Sequence, residues 1–122
     1  KALQEIEQDK YVAMIKSAPS QLQAVLYSVL SFSGTKAVNT NDSYDVYRSF
    51  CAQAKTRALT QRAFSDMISE LDIYGFIKTR IVSQGRYGRK KEISTNLPKD
   101  VSDKVKEIIL LEFDLEAINK PM

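Results

Sequence analysis

The chain has 122 residues, 43% of them hydrophobic and 27% charged, with a formal net charge of +3, the profile of one soluble globular domain with a single core. It contains no His and a single Cys, Cys51, which excludes internal disulfides, His-dependent triads, imidazole acid–base catalysis and the usual zinc constellations, and fits a reducing, intracellular compartment. No apolar run approaches the roughly 20 residues that a bilayer span demands, so no membrane partner is expected.

The opening "KALQEIEQDK" lacks both an initiator Met and the basic-then-apolar layout of a signal peptide, and reads as the start of a fragment of something longer. Residues 1–17 read as a helix with Leu3, Ile6, Val12 or Ala13, and Ile15 loosely on one side. "SAPS" interrupts it, because Pro19 disfavours helical geometry in Ala18 and suits the start of a new helix. The expected organisation is therefore a linker helix over 1–18 and one domain over 19–122 that includes the C-terminal helix. "PSQLQAVLYSVLSFS" is the second helix, with Leu22, Val25, Leu26, Val29 and Leu30 in helical period and Gly34 closing it. "TKAVNTNDS" reads as a polar loop in which Asp42 or Ser43 caps the third helix, "YDVYRSFCAQAK". That helix buries Tyr44, Tyr47, Phe50, Cys51 and Ala54, so Cys51 is a core thiol and not a nucleophile.

After the short turn "TRAL", a fourth helix runs from its N-cap Thr60 to about Tyr74, with Phe64, Met67, Ile68 and Leu71 inward and Gly75 as a left-handed stop. Its outer face carries Gln61, Arg62, Ser65, Asp66, Ser69 and Glu70. The period then changes to 2: "FIKTRIVS" and "KKEISTN" read as strands joined by "QGRYGR". A final helix, "LPKDVSDKVKEIILLEFDLEAIN", places Val101, Val105, Ile108, Leu111 or Glu112, and Leu115 roughly in line. The fold class is mainly α with a small β-hairpin, a winged helix-turn-helix with extra N- and C-terminal helices.

Between Phe76 and Asn96 six basic residues face one acid, Glu92, so this segment carries +5 and the rest of the chain −2. Such segregation is the footprint of a polyanion site. An α-helix fits the DNA major groove with its N-terminal residues at base edges. The candidates on the recognition helix are Thr60, Gln61, Arg62, Ser65 and Ser69; Arg62 can fork onto guanine and Gln61 onto adenine. The candidates on the hairpin are Lys78, Arg80, Arg86, Tyr87, Gly88, Arg89 and Lys90, with Gly85 and Gly88 allowing a tight turn and close approach and an Arg entering the narrow minor groove. Lys90 and Lys91 alternate across the strand, so one of the two meets phosphate. Asp66 and Glu70 either accept from cytosine N4 or pair with Lys78 or Arg80. A divalent site from Asp66, Glu70 and Asp72 is disfavoured, no cofactor is expected, and catalysis is rejected. The rival reading is a protein–protein interaction module docking through the apolar stripe of the last helix; it leaves the basic hairpin unexplained.

Leu59 to Ile93, "LTQRAFSDMISELDIYGFIKTRIVSQGRYGRKKEI", resembles the C-terminal winged-helix domain of the archaeal origin-recognition and cell-division-control initiators of DNA replication. The run T-Q-R-x-x-S-D-x-x-x-E-L-D-x-x-G and the G-R-Y-G-R wing both stand in order, and the likeness covers most of Pro19 to Asn96. Ala63 departs from it, standing where the family often has a second basic residue. The resemblance implies double-stranded DNA binding at replication origins, with helix 60–74 in the major groove and wing 83–91 in the minor groove. It also implies an ATPase module preceding this domain, and further partners among other initiator copies or helicase-loading factors. "SGTK" at 33–36 and the wing lack the spacing of a phosphate-binding loop, so this fragment is not expected to bind or hydrolyse ATP.

Overall fold

A computed structural model describes residues 2–32, 37–83, 85–95 and 97–113, with the side chains of residues 2–7 and 87 outside that description. Five helices and three short strands follow in the order α1 (Ala2–Lys16), α2 (Ser20–Leu30), β1 (Val38–Asn39), α3 (Thr40–Gln53), α4 (Gln61–Ile73), β2 (Lys78–Ser83), β3 (Arg89–Ser94) and α5 (Lys99–Glu112). The core forms around α2, against which α3, α4 and α5 all pack. Its whole predicted stripe, Leu22, Val25, Leu26, Val29 and Leu30, is buried. Burial of polar Gln23 is met by its amide donating to the Ile15 carbonyl at 2.7 Å, which ties the end of α1 to α2. α2 stops earlier than its sequence period suggests: the Ser31 hydroxyl donates back to the Tyr27 carbonyl at 2.8 Å and Phe32 N–H turns to Val29, a tightening that ends the helix. Gly34, the expected stop, lies outside the described residues.

The segment expected as a plain loop before α3 contains a strand. Val38 and Asn39 pair antiparallel with Ile93 and Glu92, giving a three-stranded sheet in the order β1-β3-β2. Two residues carry no readable period, and their partner lies more than fifty positions away. The cap of α3 shifts accordingly. Asn39, not Asp42 or Ser43, is the N-cap; its side chain accepts from Asp42 N–H at 2.8 Å while the Asp42 carboxylate accepts from Asn39 Nδ2 at 3.1 Å. The Asn39 side chain thus caps the helix while its own amide is held by Asp42, and Ser43 sits buried one turn inside.

α3 ends with Lys55 in left-handed geometry (φ 56°) and Thr56 N–H on the Cys51 carbonyl at 2.9 Å, a Schellman closure without the usual glycine. The chain then doubles back over α3. Tyr44 Oη donates to the Leu59 carbonyl at 2.7 Å, and Leu59 N–H donates to Tyr47 Oη at 2.9 Å. Tyr47 Oη in turn donates to Gln21 Oε1. Burial pushes the Tyr47 phenol up to about 12, although the Leu59 amide favours the ionised form. Phe64 of α4 fits between these rings, 5.2 Å from both Tyr44 and Tyr47. The helix-turn-helix angle is thus held by two hydroxyls and an aromatic trio in which Tyr47 and Phe64 are buried and Tyr44 partly so.

α5 buries Val101, Val105, Ile108 and Ile109. Leu111 is 53% exposed and Glu112 is also exposed, so neither continues the stripe. Ile109 and the partly buried Phe113 continue it instead, the latter edge-on to Phe50 at 5.0 Å; a 3.6-residue period carries the apolar row from 105 to 109 to 113. Leu115 lies outside the described residues. No helix of the described chain is long and apolar enough to cross a membrane.

Candidate nucleic-acid interface

α4 is built from one buried row and one open face. Phe64, Ile68 and Leu71 are fully buried, and Met67 packs at their edge. That row orients the helix, leaving Gln61, Arg62, Asp66, Ser69 and Glu70 exposed and Ser65 half-buried. Thr60 caps the helix, its Oγ1 accepting from Ala63 N–H at 3.2 Å. Ser69 Oγ donates to the Ser65 carbonyl at 3.3 Å. Arg62 has no carboxylate partner within 4 Å among the described residues, so its guanidinium is available. Gln61 is held: its Nε2 donates to Oδ1 of Asn41, in the first turn of α3, at 2.5 Å.

Among the described residues neither Asp66 nor Glu70 pairs with Lys78 or Arg80. Glu70 accepts from the Tyr74 hydroxyl at 3.0 Å, and that bond to a carboxylate raises the Tyr74 phenol. Arg80 lies 3.9 Å from Glu92, an exposed and long ion pair of little energetic weight. Asp72 accepts from both the N–H and the hydroxyl of Thr79, at 3.2 and 2.6 Å. This last pair fastens the end of α4 to the start of the wing. Nothing in the local period announces it, since the partner sits past the turn at Gly75 (φ 88°). Among the described residues no group of three or more carboxylates and thiols is arranged to hold a metal ion.

The wing is β2, a 3-10 turn over Gly85–Tyr87, and β3. Gly85 and Gly88 have φ of 62° and 86°, and Gly88 N–H bonds the Gly85 carbonyl at 3.1 Å. A Cβ at either glycine would meet nothing within 4 Å, so within this chain the glycines serve the backbone geometry of the turn. The register pairs Thr79 with Ile93, Ile81 with Lys91 and Ser83 with Arg89, alternating with Lys78–Ser94, Arg80–Glu92 and Val82–Lys90. Ile93 is fully buried and Thr79 bonds to α4, so the first set lies on the face toward the helices. Arg89 and Lys91 therefore share the α4 side with the 62% exposed Ile81.

The structure thus divides the hairpin residues named from sequence. Lys78, Arg80 and Lys90 lie together on the outer face, with Glu92 among them, while Arg89 lies on the inner one. Arg86 is exposed at the tip, as is the Gly88 backbone; the Tyr87 side chain falls outside the described residues. Lys91, left out of the sequence-based set, is the lysine on the α4 side. Counting by twos from Ile93 as a core residue would have found it.

Comparison with known proteins bears on this geometry. Residues 13–105 match the family model described as the CDC6, C terminal winged helix domain, a winged-helix domain and not an ATPase module. The chain is 38% identical over 120 residues to an ORC1-type DNA replication protein of Halobacterium salinarum and 39% identical over 120 residues to one of Pyrococcus furiosus. Each alignment covers 97% of this chain but 23% and 28% of those proteins, so the chain spans about a quarter of the length of these curated relatives. Among solved structures, the Aeropyrum pernix ORC1 protein in complex with DNA superposes with a TM-score of 0.76 at 30% identity, covering 85% of this chain and 28% of that one. Cdc6p of Pyrobaculum aerophilum shares the fold, with a TM-score of 0.66 at 18% identity over 85% of this chain and 26% of that one.

Proposed function

The chain belongs to the family of the CDC6 C-terminal winged-helix domain, and from that premise we propose that it binds double-stranded DNA at replication origins, inside the cell, as the DNA-gripping part of a replication initiator. α4 lies in the major groove, presenting Gln61, Arg62, Ser65 and Ser69 with Thr60 at its cap, and the wing over 83–91 lies in the adjacent minor groove. The observation that carries this reading is the basic wing clamped through Thr79 to Asp72 at the end of an exposed, Arg-bearing helix. The DNA-bound state of the related ORC1 protein supports it.

The division of labour follows from chemistry. Arg62 forks onto guanine O6 and N7, and Gln61 offers the donor–acceptor pair that adenine requires. The N-terminal dipole of α4 adds attraction for a phosphate near Thr60. Arg86 at the tip enters the minor groove, where narrow A·T-rich stretches concentrate negative potential. Arg89 and Lys91 meet the backbone on the α4 side, and Lys78, Arg80 and Lys90 add longer-range attraction from the outer face, diluted by Glu92. The protein-docking reading loses its main support, because the apolar row of α5 is spent in the core. Other initiator copies and helicase-loading factors remain partners of the longer protein in this proposal.

Fluorescence anisotropy of the chain against an A·T-rich origin-repeat duplex and a scrambled one, at two salt concentrations, tests the reading. Tighter binding to the origin repeat that survives the higher salt is the expected result. Equal and steeply salt-dependent binding to both would leave a backbone-gripping module without base reading, and no binding to either would sink the proposal.

A further inference from the structure

The two helices of the helix-turn-helix meet at one polar contact in front of the candidate interface. Gln61 occupies the first position of α4 and Asn41 the second position of α3, and both are exposed. They are twenty residues apart, yet the Gln61 amide nitrogen donates to Asn41 Oδ1. The approach is imposed from behind: Tyr44 and Tyr47, on the next two turns of α3, hold Leu59 by its carbonyl and amide, and so deliver the start of α4 beside the start of α3. Asn41 is not the cap of its helix, since Asn39 and Asp42 fill that role for each other. The Asn41 amide is therefore spare for a contact outside α3.

From this contact we infer that Asn41 is the positioning residue that makes Gln61 a base reader. A free Gln samples many rotamers and its amide presents either end to a base. With one Nε2 hydrogen committed to Asn41, the amide plane is oriented, and one N–H and the Oε1 remain for the groove. That is the pair complementary to adenine N7 and N6. Asn41 touches no base in this scheme; it acts through Gln61, removing the ordering cost that a flexible side chain would meet on binding. The role assigned to Asn41 rests on the duplex-binding reading above.

The test is a sequence-preference profile, obtained by sequencing the duplexes that the 122-residue chain retains from a randomised pool. Wild type, Gln61→Ala, Asn41→Ala, Asn41→Asp and the Asn41→Ala/Gln61→Ala double variant are compared, with thermal melts to establish that these surface changes leave the fold intact. Wild type should favour A·T at one position by roughly five- to 150-fold, the span of one bidentate contact. Gln61→Ala should abolish that preference, Asn41→Ala should lower it by about tenfold or to nothing at the same position, and the double variant should equal Gln61→Ala. Asn41→Asp keeps an acceptor oxygen for the Gln61 amide and adds a negative charge. It should lower retention of all duplexes alike while preserving the preference, a rescue that a merely structural role for Asn41 would not produce. An Asn41→Ala profile identical to wild type, beside an altered Gln61→Ala profile, would overturn the role of Asn41 alone. So would loss of the preference in Asn41→Asp as complete as in Asn41→Ala. A Gln61→Ala profile identical to wild type would overturn base reading by Gln61 together with it, and a wild-type chain that retains no duplex would overturn the binding reading itself.

Discussion

The helical block and the wing are held by different physics. α4 is locked by a continuous buried row, with Phe64 wedged between Tyr44 and Tyr47 and three side chains fully out of water. The hairpin buries Ile93 in β3 and little else along its twelve strand residues, and relies on two left-handed glycines, ladder bonds and the Asp72–Thr79 tie. One surface is positioned by packing, the other by backbone geometry and a single polar fastening. Base reading needs a rigid element at a defined depth, whereas phosphate contact tolerates a looser one.

Substitutions that separate the two should do so in order of size. Phe64→Ala removes the ring at the centre of the aromatic trio and should cost about 3–5 kcal/mol, seen as a large shift of the urea midpoint that takes DNA binding with it. A stable, well-folded variant would show that the α3–α4 angle does not depend on this packing. The same cluster can be probed by pH. The Tyr47 phenol sits at about 12 in the fold, above its ordinary value of 10.0. Its contribution to stability is therefore complete below pH 10 and is lost as pH rises from there through about 12. Tyr47→Phe should flatten that part of the stability curve; an unchanged slope would remove Tyr47 as its cause.

Arg62→Ala should cost roughly 1–3 kcal/mol at one base pair while sparing nonspecific affinity; equal losses on origin and scrambled duplexes would assign Arg62 to the backbone. In the wing, Arg89→Ala and Lys91→Ala should each lower the salt slope of binding by about 0.9, and Lys90→Ala by clearly less. A larger effect at Lys90 would mean that the outer face of the hairpin meets the DNA. The smallest change is Lys55→Gly. It relieves the left-handed backbone at the end of α3 and should raise stability by up to about 1 kcal/mol, read from the melting temperature, with no change in DNA affinity.

Most of the architecture was open to reading in one dimension, because amphipathic periods report directly on which face meets the core. The rows of α2 and α4 face the core as expected, with Met67 at the edge, and Gly75 stops α4 in the expected left-handed geometry; β2 lies within its expected span, while β3 begins one residue early, at Arg89. β1 was missed because two residues pair only with a strand formed much later in the chain. The stripe of α5, expected to run through Leu111 or Glu112, runs through Ile109 and Phe113 instead, where the 3.6-residue period carries the buried row. Alternation sets Lys90 and Lys91 on opposite faces without saying which one the helices cover; the register with Ile93 supplies that.

What the sequence determined by itself, then, is the local part of this protein: the order of its helices, the turn glycines, a helix with an exposed Arg-bearing face, and a wing of six cations against one carboxylate. Those depend on neighbours within a few positions, and chain connectivity supplies them. Only the tertiary structure decided that Asn41 meets Gln61, that Asp72 holds Thr79, and that Arg89 and Lys91 turn toward α4 while Lys78, Arg80 and Lys90 turn away. Each of these is a contact between elements whose relative placement is set by burying the aromatic trio and Ile93 together, and a side chain's partner across that core is a property of the packed whole.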